Sequence, residues 1–141
     1  MQRGRRIAFD YGDVRIGVAI SDASGLLATP HGVIATSADV ISEVAKLVAE
    51  NDPIYFAVGI PRHLSGAESA KMKSVEEFIA TLLANFDIPI VRIDERLSTV
   101  SAARSLQASG KNSKQAKSFI DAAAAATILE MALSKEKLHD V

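Results

Sequence analysis

With 141 residues, 48% hydrophobic and 23% charged at a formal net charge of -1, the chain reads as one globular domain over 1–141, able to bury roughly 70% of the surface its unfolded form exposes. The near-neutral charge gives no global sign of nucleic-acid binding, so that question passes to the distribution of charge along the chain. The absence of cysteine excludes disulfides and thiolate metal sites and fits a reducing, cytoplasmic setting.

The basic start, Met1-Gln2-Arg3-Gly4-Arg5-Arg6, is followed by only Ile7-Ala8-Phe9 before Asp10, too short an apolar run for a signal peptide. No later segment approaches the roughly 20 apolar residues of a membrane helix, so no membrane partner is expected. Ile7 to Tyr11 and Arg15 to Ser21 read as a hairpin around the Gly12-Asp13-Val14 turn. In the second strand Ile16, Val18 and Ile20 alternate with Gly17, Ala19 and Ser21, which leaves open space on one face of the sheet. Leu26 to Thr36 supplies a third antiparallel strand, broken by Pro30.

Val40 to Glu50 has helical apolar spacing, with Asp39 placed to cap it. Ile54 to Ile60 reads as a buried parallel strand, Ser69 to Leu83 as a helix, and Ile88 to Ile93 as another buried strand. A helix follows from about Thr99 to Ser109 and a last one from Ser113 to about Leu133, separated by Gly110. The order βββαβαβαα predicts an α/β fold, a mixed five-stranded sheet with helices on both faces.

Carboxylates at three places in the chain stand out against this frame. Asp10 ends the first strand beside a glycine turn, and Asp94 and Glu95 follow a strand at the end where open α/β sheets build their sites. In an extended segment Asp94 and Glu95 point to opposite sides, so one of them faces Asp10, and periodicity does not choose which. Either one also reads as an ion-pair partner of Arg92 or Arg96. Asp121 heads a helical stripe of Ala124, Ala125, Ile128 and Leu129, which makes it either a helix-start carboxylate or a ligand aimed at the sheet. Carboxylates embedded in apolar sequence need a partner, and converging acidic oxygens without a matching basic cluster suit a hard cation such as Mg²⁺ or Mn²⁺.

The basic residues are asymmetric. Between Arg96 and Ile120 lie Arg96, Arg104, Lys111, Lys114 and Lys117 with no acidic residue, a footprint suited to a phosphate backbone beside the acids, or else a solvated helix face and loop. Arg62 and His63 leave a strand end near the same place and suit phosphate contact, and Arg15 joins the nucleic-acid-binding candidates. Arg3, Arg5 and Arg6 read either as an extension of that patch or as a mobile basic terminus. His31, His63 and His139 are scattered without metal-ligand spacing.

Asp10-Tyr11-Gly12 through Arg15-Ile16-Gly17-Val18-Ala19-Ile20-Ser21-Asp22, then Val58-Gly59-Ile60-Pro61, Asp94-Glu95-Arg96-Leu97-Ser98-Thr99 and Ile120-Asp121-Ala122-Ala123-Ala124, resemble the YqgF (RuvX) family. The resemblance spans nearly the whole chain. It implies a ribonuclease H-like fold and a metal-dependent nuclease, described in the family both as a Holliday-junction resolvase and as the enzyme that matures the 5′ end of pre-16S ribosomal RNA. It places the catalytic and metal-binding acids on Asp10, Glu95 and Asp121, with Mg²⁺ or Mn²⁺ as cofactor. Lys111-Asn112-Ser113-Lys114-Gln115-Ala116-Lys117 is sparser in basic residues than the family pattern. The expected partners are nucleic acid, pre-16S RNA ahead of branched DNA, and the assembling small ribosomal subunit, with the protein a monomer or homodimer. The competing readings are a catalytically silent RNA-binding assembly factor and an actin-like ATPase, for whose second domain 141 residues leave no room.

Overall fold

The computed structural model describes residues 3–61, 66–95 and 114–139. Its strands are β1 (Ile7–Asp10), β2 (Arg15–Ser21), β3 (Ala28–Ala35), β4 (Phe56–Ile60) and β5 (Ile90–Asp94), and its helices are α1 (Val40–Asn51), α2 (Gly66–Asn85) and α3 (Lys114–His139). They form one five-stranded sheet in the order β3-β2-β1-β4-β5. β1, β2 and β3 are antiparallel neighbours, whereas β1–β4 and β4–β5 run parallel. The mixed sheet expected from the sequence is therefore present, and the helix expected over Thr99 to Ser109 lies outside the described residues.

Pro30 does not break β3. The ladder shifts between Val18 and Ala19, which face Gly32 and Pro30, so His31 is the extra residue of a bulge that absorbs the missing proline N–H. Asp39 caps α1 by accepting from the Ser42 N–H at 3.2 Å. At the other end Asp52 takes a left-handed conformation, φ 46°, and its N–H closes on the Val48 carbonyl.

The two faces of the sheet carry different residue sizes, and this asymmetry positions everything that follows. Ile7, Phe9, Ile16, Val18, Phe56, Val58 and Ile60 fill one face and pack with Val44 and Leu47 of α1 and Val75, Phe78, Ile79 and Leu82 of α2. Phe9 sits edge-on to both Phe56 and Phe78, with ring centroids 5.3 and 5.6 Å away, which fixes the end of β1 from below. Ala8, Ala19 and Ala57 line the opposite face, where α3 lays down Ala125, Ala126, Ile128, Leu129, Ala132 and Leu133. Small residues on both partners let helix and sheet approach closely, as the alanine run 122–126 suggests.

α3 is also pinned at its far end. Arg6, fully buried, gives a forked pair of hydrogen bonds to Glu136, Nη2 to Oε1 at 2.8 Å and Nε to Oε2 at 3.1 Å. Tyr55 donates its hydroxyl to the same carboxylate at 2.6 Å. Arg6 is thus a core residue and no part of a mobile basic terminus, a difference that arises because its partner lies 130 residues away in sequence. No helix among the described residues is long and apolar enough to cross a membrane.

Candidate functional site

Alternation along β1 sends Ile7 and Phe9 to the large-residue face and Ala8 and Asp10 to the α3 face. Asp10 is 1% exposed. Its cross-strand partner on β2 is Gly17, and on the other side β4 reaches Gly59 one residue past the Phe9–Val58 pair. Asp10 therefore stands in a row of the sheet whose two neighbours have no side chain.

What fills those two gaps is informative. A methyl group on Gly17 would stand 2.0 Å from the backbone carbonyl oxygen of Asp121, so α3 rests on the bare backbone of β2 at that residue. A methyl group on Gly59 would stand 2.6 Å from Glu95 Oε1 and 2.6 Å from Ile128 Cδ1, so the Glu95 carboxylate lies over β4. Gly59 pairs with Ile93 and Ile60 with Asp94 on β5. Ile93 belongs to the α3-side cluster, and two residues on, Glu95 reaches the same face while Asp94 takes the other. The structure thus makes the choice that periodicity left open, bringing Glu95 to the Asp10 side.

Asp121 meets a basic partner. Its Oδ2 accepts from Arg15 Nε at 2.7 Å, with the two side chains 18% and 22% exposed. Arg15 opens β2 and shares the face of Gly17, which explains how its guanidinium reaches the turn of α3 that settles on Gly17. The expectation of acids without a basic counterpart is corrected at this residue. Arg92 also departs from the pairing considered for it, because it bonds Glu76 on α2 at 3.2 Å.

Among the described residues, no three Asp, Glu or His side chains are drawn together closely enough to hold a metal ion. The donor set itself suits one: carboxylates from three separate elements, all oxygen, with neither sulfur nor imidazole. Such a set favours Mg²⁺ or Mn²⁺ over softer ions, and Asp10, Glu95 and Asp121 are the residues that would hold one if drawn closer together.

Of the basic candidates, Lys117 is exposed on α3 one helical turn before Asp121, and Lys114 begins that helix. Arg62, Arg96, Arg104 and Lys111, with His63, lie outside the described residues. His31 is exposed in β3, two strands away from β1. Sequence reasoning singled out the acids and left the role of the two glycines largely unread. The small-residue alternation of β2 signalled Gly17, whereas Gly59 was legible only as the end of a strand.

Comparison with known proteins places this geometry in context. The family described as "RuvX: Holliday junction resolvase" matches residues 4–135. The chain is similar to a protein of Streptomyces coelicolor named "Putative pre-16S rRNA nuclease", 44% identical over 98% of this chain and 84% of the relative. A protein of Leifsonia xyli with the same name is 40% identical over 97% of this chain and 90% of the relative. Among solved structures, Thermus thermophilus RuvC in complex with a Holliday junction superposes with a TM-score of 0.62 at 15% identity, covering 95% of this chain and 96% of RuvC. That likeness is one of fold, the ribonuclease H-like arrangement of a mixed five-stranded sheet between helices. The chain belongs to the RuvX family.

Proposed function

We propose that this protein is a metal-dependent endonuclease that hydrolyses phosphodiester bonds and matures the 5′ end of pre-16S ribosomal RNA, in the cytoplasm and on the assembling small subunit. The observation that carries the reading is the row Gly17, Asp10, Gly59 across the sheet, over which Asp121 and Glu95 close from the two sides. The RNA substrate is supported by relatives of 40 and 44% identity that bear the name of a pre-16S rRNA nuclease.

In this reading Asp10, Glu95 and Asp121 hold Mg²⁺ or Mn²⁺. When bound, the metal supplies an activated water and offsets charge on the leaving oxygen. The protein supplies rigidity. Asp10 is held on a central strand flanked by β2 and β4, α3 cannot retreat from Gly17 without losing its packing, and Glu95 and Ile128 both lie over Gly59. Fixed carboxylates keep the reacting groups in register, where misplacement by about 1 Å can cost roughly a hundredfold in rate. Arg15 and Lys117 beside Asp121, joined by Arg62, Arg96, Arg104, Lys111 and Lys114, contact phosphates flanking the scissile bond and make binding salt-sensitive.

The family description favours a second substrate, the four-way DNA junction. Incubating the protein and Mg²⁺ with a pre-16S 5′ fragment and a four-way junction side by side separates the two. RNA-selective cleavage supports the processing nuclease, junction-selective cleavage moves the assignment to resolvase, and RNA binding without cleavage of either substrate points to an assembly factor.

A further inference from the structure

Arg15 holds Asp121 with a direct charged hydrogen bond, Nε to Oδ2 at 2.7 Å, at a position both side chains reach while more than three-quarters buried. From this geometry we infer that Arg15 is a resident counter-ion of Asp121, a positioning residue whose positive charge would oppose a divalent cation as the site loads. The inference rests on the metal-dependent reading above and deepens it.

The backbone explains how this arginine takes the part. Residues 15 and 17 share the α3 face of β2, so the glycine that admits the helix and the arginine that meets its carboxylate are set by one strand. The guanidinium offsets the negative charge of the partly buried Asp121 carboxylate. Arginine cannot yield by giving up a proton, since its group stays charged at any accessible pH. Its only way to yield Asp121 Oδ2 is to move.

This sets the sign of an effect. A partner that merely oriented a metal ligand from behind would strengthen metal binding, and its loss would weaken affinity by roughly 10- to 100-fold. A cation occupying the ligand oxygen itself competes with the metal and repels it, so its removal strengthens binding. Arg15 brings a full positive charge to 2.7 Å from Asp121 Oδ2, and in this inference its repulsion of the metal outweighs any orienting effect.

The test is a Mn²⁺ titration of the full chain without nucleic acid, by calorimetry or by the paramagnetic resonance of free Mn²⁺. It compares wild type with Arg15→Gln, Arg15→Lys and Asp10→Asn, with circular dichroism to verify folding. Arg15→Gln should bind Mn²⁺ about tenfold more tightly than wild type, a magnitude expected for one partly solvated charge beside a divalent ion. Arg15→Lys, which keeps the charge, should bind like wild type. Mn²⁺ should correspondingly raise the melting temperature of Arg15→Gln more than that of wild type. Equal or weaker binding by folded Arg15→Gln, with wild-type binding lost in Asp10→Asn, overturns the counter-ion role and leaves the metal site standing. Absence of Mn²⁺ binding by wild type overturns both.

Discussion

Asp10 faces Gly17 directly across the β1–β2 pair, and the missing side chain at Gly17 lets the Asp121 carbonyl settle on the strand beside it. One cross-strand pair therefore sets how near a buried carboxylate on the sheet can come to a second acid on a helix. The mirror relation holds on the other side, where Gly59 leaves room for the Glu95 carboxylate. Two absent side chains do as much to build the candidate site as the acids themselves.

Gly17→Ala would place a methyl group 2.0 Å from a backbone carbonyl oxygen, which has no rotamer by which to escape. α3 must lift from the sheet, at a cost of about 2–3 kcal/mol typical of overpacking. Urea denaturation should show a lower midpoint with an unchanged slope, and the displaced Asp121 should lower cleavage as well.

Gly59→Ala meets softer neighbours, Glu95 Oε1 and Ile128 Cδ1, both at the ends of flexible side chains. Its stability cost should be about 1 kcal/mol, while the shifted Glu95 lowers kcat by roughly tenfold to a hundredfold. A variant that melts near wild type yet cleaves poorly is the expected result; unchanged kcat would show that Glu95 does not act from this seat.

Glu136→Gln tests the far anchor of α3. Arg6 is fully buried, so the variant leaves its guanidinium in the core without the carboxylate that balances its charge. Breaking a buried pair costs about 3–5 kcal/mol, reduced here to about 2–3 because Glu136 is 23% exposed. The anchor lies at the opposite end of the sheet from Asp10, so Mn²⁺ affinity measured well below the melting temperature should stay within about twofold of wild type.

Burial, reinforced by the Glu136 carboxylate at 2.6 Å, pushes the Tyr55 phenol well above its ordinary 10. The folded protein thus keeps a proton that the unfolded chain releases. The stability this contributes is complete below about pH 10 and falls as pH rises further toward the folded-state value. Melting temperatures measured from about pH 9 to 11 should drop more steeply for wild type than for Tyr55→Phe.

Much of this architecture was legible in the chain, because its signals are local. Alternation in Arg15–Ser21 fixed β2 to the residue, and apolar spacing with Asp39 as cap located α1. The strand–helix alternation gave the order of the remaining described elements. What stayed hidden depends on distance along the chain. Arg15 and Asp121 are 106 residues apart and Arg6 and Glu136 are 130 apart, so no local pattern could pair them. Between Asp94 and Glu95 the family resemblance pointed to Glu95, whereas a sequence period of two could not choose without the β4–β5 register. Pro30 misled for a different reason: a bulge can accommodate it inside a strand that otherwise continues.

The most direct test of the metal-dependent nuclease reading is single-turnover cleavage of a pre-16S 5′ fragment in Mg²⁺ by wild type and by Asp10→Asn, with melting temperatures recorded in parallel. Wild type is expected to cleave, and the variant to lose about a hundredfold to a thousandfold in rate, in line with removal of an electrostatic stabiliser at a reacting centre, while melting no lower than wild type. Cleavage by Asp10→Asn at the wild-type rate would contradict that reading.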